Sequence, residues 1–171
     1  MLRVMGAICV VSGAGAVGFG FAAGVRRQAR ELTELCTALE TMQAEIEYRM
    51  TPLPQLLREL AGICTPPLDA LFVRWSDALS NAQGATVSYA LSCALRRTRG
   101  LALSAESIQA LRTLSLQLGR FDTAQQGHAV GLCAQRLRQE LLQLEAGKQT
   151  RCRSYQTIAI CAGLALAVIL L

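Results

Sequence analysis

In "AEIEYRMTPLPQLL", residues 44–57, a helical stripe of apolar side chains runs into two prolines set two positions apart. Proline disfavours helix at the residue before it and removes a backbone donor, so the upstream helix must end near Thr51. The same residue type suits the first turn of a new helix, where that donor would be unpaired anyway. Thr51-Pro52-Leu53-Pro54 therefore reads as a corner between two helices, with Thr51 as a candidate N-cap.

Upstream of the corner, Leu32, Leu35, Leu39, Met42 and Ile46 are spaced three, four, three and four apart, which places them on one helical face. Downstream, a short helix over about 53–61 runs to Thr65-Pro66-Pro67. The next helix, about 67–80, carries Leu68, Leu71, Phe72, Trp75 and Leu79 on one side, and a turn at Asn81 to Gly84 closes it. "ATVSYALSCALRR", residues 85–97, is a further amphipathic segment. Ser104 with Glu106 in the first turn opens another helix, with Ile108, Leu111, Leu114 and Leu118 inward and Gly119 at its end. Asp122 followed by Gln125 resembles a capping box. It starts a last long stripe of Val130, Cys133, Leu137, Leu141 and Leu144. Ala, Leu, Gln, Glu and Arg dominate, and only 5% of the chain is aromatic. No repeat or strand pattern interrupts this reading. The expected fold is all-α, an antiparallel bundle of about six helices across residues 26–153.

The excess of apolar residues sits at the two ends. Val4 to Val25 is 22 residues without a charge. As a helix it would reach ~33 Å, enough for a hydrocarbon core of ~30 Å. Residues 154–171 also lack charged side chains. They would reach ~27 Å, and their strictly apolar part, 158–171, only ~21 Å. The expected organisation is thus a transmembrane helix over 1–25, the bundle, and a short transmembrane helix over 154–171. A buried packing helix competes for the tail, but "ALAVILL" is apolar on every side, which suits lipid better. A cleaved signal peptide competes at the start, with small residues near Ala22 and Ala23, but three arginines just beyond would oppose export. Arg26, Arg27 and Arg30 follow the first segment, and Lys148, Arg151 and Arg153 precede the second. By the positive-inside rule the bundle is cytoplasmic. Seven cysteines, scattered without a CxxC pair, fit a reducing compartment.

Charge divides the bundle. Residues 31–47 hold five glutamates and no basic residue, while residues 96–153 hold ten basic residues against four acidic ones. First and last helices lying side by side would set these opposite charges along facing rims, each exposed pair worth only ~0.2–1 kcal/mol.

Chemical motifs are sparse. "GAGAVG", Gly13 to Gly18, matches G-x-G-x-x-G after an apolar run. A dinucleotide site needs that run to be a strand of a βαβ unit with an acidic ribose ligand further on. Glu34 stands at a tempting distance, but residues 26–48 have helical period. A membrane-attached nucleotide-binding protein or enzyme is the alternative this run offers. The simpler reading is a helix-packing face, extended by Gly20-x-x-x-Gly24. His128 is the only histidine, which argues against a metal site. Arg96, Arg97 and Arg99 read as a solvated helix end, so no nucleic-acid partner is expected. No catalytic residue, metal or cofactor is indicated, and self-association is left open.

Two stretches carry a family resemblance. Glu45, Ile46, Tyr48, Thr51, Pro52 and Leu53 fit the E-I-x-Y-x-x-T-P-L pattern that follows the first membrane segment in stage III sporulation protein AB of spore-forming Firmicutes. "LGRFDTAQQGHAV" resembles that family's L-G-x-x-D-x-x-x-Q-x-x-H element through Leu118, Gly119, Asp122, Gln126 and His128. Here one residue fewer separates Gln126 from His128, unless Gln125 takes the glutamine place. Length and the apolar ends agree over essentially the whole chain. The resemblance implies a non-enzymatic subunit of the channel complex that connects mother cell and forespore during engulfment. It implies a soluble domain similar to those of the type II secretion platform protein. By analogy its partners would be the membrane, other channel subunits and the complex's own AA ATPase.

Overall fold

The computed structural model describes residues 2–49, 51–81, 84, 86–118 and 125–146, with side chains from residue 23 onward. Among these there are six helices and no strand. They are α1 (Leu2–Tyr48), α2 (Leu53–Ile63), α3 (Leu68–Asn81), α4 (Val87–Arg97), α5 (Ala105–Gln117) and α6 (residues 125–146). The expected span over 154–171 lies outside the described residues, and so do the side chains on which the span over 4–25 mostly rests. Among the described residues no helix is long and apolar enough to cross a membrane.

The chain runs up and down. α1 passes from the end of the bundle nearest residue 25 to the proline corner, and α2 returns beside it. Thr65, just after α2, donates its backbone N–H (3.0 Å) and its hydroxyl (2.8 Å) to the Glu34 carboxylate of α1. α3 climbs again, because the buried Ser76 hydroxyl donates to the Pro54 carbonyl at the base of α2, 2.6 Å away. α4 begins at Thr86, whose hydroxyl accepts the Tyr89 N–H, and α5 begins at Ser104, which caps Ser107 at 2.9 Å. Each cap satisfies a helix-start donor that lacks an intrahelical partner. The Ser107 hydroxyl then donates to Glu140 of α6 at 2.7 Å, joining the last two helices.

The expected stripes form one continuous core. Leu32, Leu35, Leu39, Met42 and Ile46 of α1 are all buried, with Leu56, Leu57 and Leu60 of α2 and Leu68, Leu71, Phe72 and Trp75 of α3. Val130, Cys133 and Leu137 bring α6 against the same core. Trp75 is fully enclosed, and its indole N–H donates to the Val87 carbonyl, so its one polar atom is paired. Among the described residues no buried side-chain nitrogen or oxygen lacks a partner.

Two expectations need correction. Thr51 does not cap α2. Pro52 occupies the N-cap without any side-chain bond, and Pro54 lies in the first turn. A cap at Thr51 would find no donor at the third helical position, because Pro54 has no N–H. The Gln55 N–H is taken by the Pro52 carbonyl at 2.9 Å, and the Thr51 hydroxyl turns back to Glu45, 3.3 Å away. Nor do α1 and α6 oppose charged rims along their described length. Glu40–Arg138, at 3.2 Å, joins them, while Glu31, Glu34 and Glu45 pair with arginines on α1 or just after it. A carboxylate one turn from an arginine reaches it at lower entropic cost than one across an interface.

Candidate functional site

The corner sorts its motif residues by direction. Ile46 is buried and Leu53 packs partly against the core, so these two anchor both sides of the turn. Glu45 braces it: its carboxylate accepts from Arg49 Nη1 at 3.2 Å and from the Thr51 hydroxyl at 3.3 Å. Tyr48 and Pro52 face outward, and Tyr48 is 85% exposed. A large side chain so exposed contributes little to folding. The described residues of the tip thus present one tyrosine and one proline to the outside.

Part of the second motif reaches the same end. A methyl group on Gly127 would stand 2.8 Å from Glu47 Cγ, and one on Gly131 would stand 2.8 Å from Gln43 Oε1. As α6 advances by four residues its neighbour on α1 recedes by four, so the two helices are antiparallel and in register. Gln43 and Glu47 are themselves joined by a 2.9 Å hydrogen bond and lie across the two glycines. A Cβ at either glycine would have to displace the Glu47 or Gln43 side chain from where it lies. The Gly127-x-x-x-Gly131 spacing was visible in the sequence, but nothing there named its partner. His128 is exposed on α6, while Asp122 lies outside the described residues.

The other end was not legible as a site. The Glu31 side chain is only 2% exposed. It accepts from Arg27 Nε at 3.0 Å and from the Ala102 N–H at 2.6 Å, while Arg27 Nη2 donates to the Gly100 carbonyl at 2.7 Å. Gly100 sits in the left-handed region, φ +82, which turns its carbonyl toward α1. Together these residues staple the connection between α4 and α5 to the middle of α1, just beyond residue 25.

The other candidate groups remain apart. Gly13 to Gly18 lie within the continuous helical backbone of α1, so the strand and turn that a dinucleotide site needs are not there. Gly24 is exposed, with nothing within 4 Å of where a Cβ would stand, and the surroundings of Gly20 lie outside the described residues. Arg96 and Arg97 occupy the last turn of α4, where they complement the negative end of the helix. Among the described residues no group of three or more His, Cys, Asp or Glu could hold a metal ion. Cys36, Cys64, Cys93 and Cys133 are free thiols. Burial pushes Cys36, Cys64 and Cys133 up to about 11, with Glu40 adding to the effect at Cys36 and Glu34 at Cys64. Thiols so shifted are poor nucleophiles near neutrality.

Comparison with known proteins gives a consistent picture. The family model described as stage III sporulation protein AB matches residues 3–171. The stage III sporulation protein AB of Bacillus subtilis (strain 168) is 24% identical over 171 residues, covering 100% of both chains. A solved structure of a stage III sporulation protein AB matches with a TM-score of 0.66 and 24% identity, over 72% of this chain and 98% of that one. The likeness between the structures is one of fold.

Proposed function

Because this chain belongs to the stage III sporulation protein AB family, we propose that it is a non-enzymatic platform subunit of the channel between mother cell and forespore. The proposed protein passes the cell membrane twice and holds its bundle in the mother-cell cytoplasm. The bundle docks the complex's AA ATPase and links it to the other membrane subunits. A sporulation role follows from the family. The membrane position, the channel and the ATPase are our reading.

The observation that carries the docking step is the construction of the proline corner. If residues 4–25 span the bilayer, the corner stands ~36 Å beyond it along α1. There Glu45, Ile46 and Leu53 brace a tip from which Tyr48 and Pro52 project. Tyrosine is enriched among residues that dominate interfaces.

The test is capture of the ATPase by the full-length chain in detergent micelles, compared with Tyr48→Ala and Pro52→Ala variants. Tyr48 is exposed, so its replacement should leave the helical circular dichroism and thermal midpoint unchanged. Reduced capture by a folded Tyr48→Ala variant supports docking at the corner, and unchanged capture rejects it.

A further inference from the structure

We infer that the groove bordered by Arg26, Arg27, Arg30 and Pro66 seats the phosphate of an anionic lipid headgroup. The inference rests on the membrane reading above and deepens it by naming the surface that meets the bilayer. The groove is open, and three of its four lining residues are arginines. A guanidinium offers a planar fork of donors that fits phosphate oxygens two at a time.

Position favours a lipid over other anions. The arginines begin at the first residue after the uncharged segment 4–25, so they lie within ~8 Å of its end along the helix. A headgroup phosphate occupies that layer when the segment is in a bilayer. α6 is antiparallel to α1 and in register with it at Gly127 and Gly131, so its residue Ala146 returns to the level of Gln28. Both long helices therefore approach the same layer. The connection after α4 adds Arg99, exposed beside Gly100.

Two of the arginines are already oriented. Arg27 is held by Glu31 and the Gly100 carbonyl, yet 54% of its side chain is exposed. Arg30 pairs with Glu34 at 3.5 Å and reaches the Thr65 hydroxyl at 3.4 Å, yet 62% of its side chain is exposed. Each leaves part of its fork open at a reduced entropic cost of binding. Arg26 is exposed and makes no ion pair or hydrogen bond to the described residues. Glu31 and Glu34 each neutralise one of these arginines, Arg27 and Arg30, which leaves Arg26 as the uncommitted charge of the groove. Pro66 supplies an apolar wall suited to the glycerol region of a lipid.

The experiment uses the full-length chain in neutral detergent micelles. It is titrated with phosphatidylglycerol, phosphatidylcholine, inorganic phosphate or a short DNA duplex. Bound lipid is read by native mass spectrometry, and the thermal midpoint by circular dichroism. Phosphatidylglycerol should be retained and should raise the midpoint, while the other three should do neither. Arg26→Gln should weaken retention roughly fivefold, and Arg26→Gln with Arg30→Gln about thirtyfold. Arg136→Gln, on α6 and outside the groove, should change nothing. Equal retention of phosphatidylcholine overturns the inference, and so does an equal midpoint rise with free phosphate or DNA. Wild-type retention by the folded double variant also overturns it. A chain that dissolves as a monomer without detergent removes the membrane reading itself. One that needs detergent yet ignores phosphatidylglycerol sinks only the headgroup site.

Discussion

Glu31, in the middle of α1, joins that helix to a connection seventy-one residues away in the chain, and replacing it separates packing from pairing. In Glu31→Ala the half-buried Ala102 N–H loses its acceptor, which costs about 1–3 kcal/mol. One buried methylene also goes, at about 0.8 kcal/mol. The Arg27 pair adds little, because that arginine is more than half exposed and solvent screens it. We expect a total loss of about 2–4 kcal/mol and a fall in Tm of roughly 5–15 °C. Glu31→Gln keeps the volume and a carbonyl oxygen for Ala102, and forfeits the charge-assisted bond. It should cost about 1 kcal/mol. Thermal unfolding of the full-length chain in detergent micelles, followed by far-ultraviolet circular dichroism, reads both. If Glu31→Ala loses less than about 0.5 kcal/mol, the staple does not hold the connection. If Glu31→Gln loses as much as Glu31→Ala, charge rather than the Ala102 acceptor is what matters.

The buried thiols set a pH dependence. Cys36 and Cys133 should resist iodoacetamide at about pH 8 in the folded chain and react on unfolding, read by mass spectrometry of labelled peptides. Their folded values lie near 11 against an ordinary 9.0, so the folded state holds those protons more tightly. Their contribution to stability is complete below pH 9.0 and is lost as pH rises toward about 11, and urea midpoints should fall across that window. Gly127→Ala should gain nothing in the native background, because its methyl group meets Glu47 Cγ. In a Glu47→Ala background the same change should stabilise by up to about 1 kcal/mol, the ordinary helix preference for alanine. Equal effects in both backgrounds would show that the close approach is not real.

What the sequence made legible was whatever depends on period and on backbone chemistry. The five stripe residues of α1 read as one face because burial there needs only a three-four spacing, and all five are buried. Ser104 read as a cap because its donor lies three residues on in the same chain. Thr51 misled because its spacing to α2 suited a cap while Pro54 removed the donor it would have served. Glu31 was counted as one charge on an acidic rim. Its partner belongs to a loop, and no local pattern announces a carboxylate turned inward toward a backbone N–H from another element. The glycines of α6 show the same limit: their spacing is local, but their meaning is given by Gln43 and Glu47.

The answer to why the helix breaks at Thr51-Pro52-Leu53-Pro54 lies in what α1 must do on either side. A helix of 47 residues could continue alone only as a polar, unsupported rod, since isolated helices draw little stability from propensity. Turning the chain at Pro52 sends the apolar face of α2 back onto the stripe of α1, so Leu56, Leu57 and Leu60 close over it. The same turn fixes the length of the bundle, because Ser76 and Pro54 then set where α3 meets the tip. Gly127 completes the arrangement by letting α6 start against Glu47, one turn from the corner. Tyr48 is left outside a tip that is held from three directions. A side chain in that position can be changed without cost to the fold, which is the property a contact surface needs and a core residue lacks.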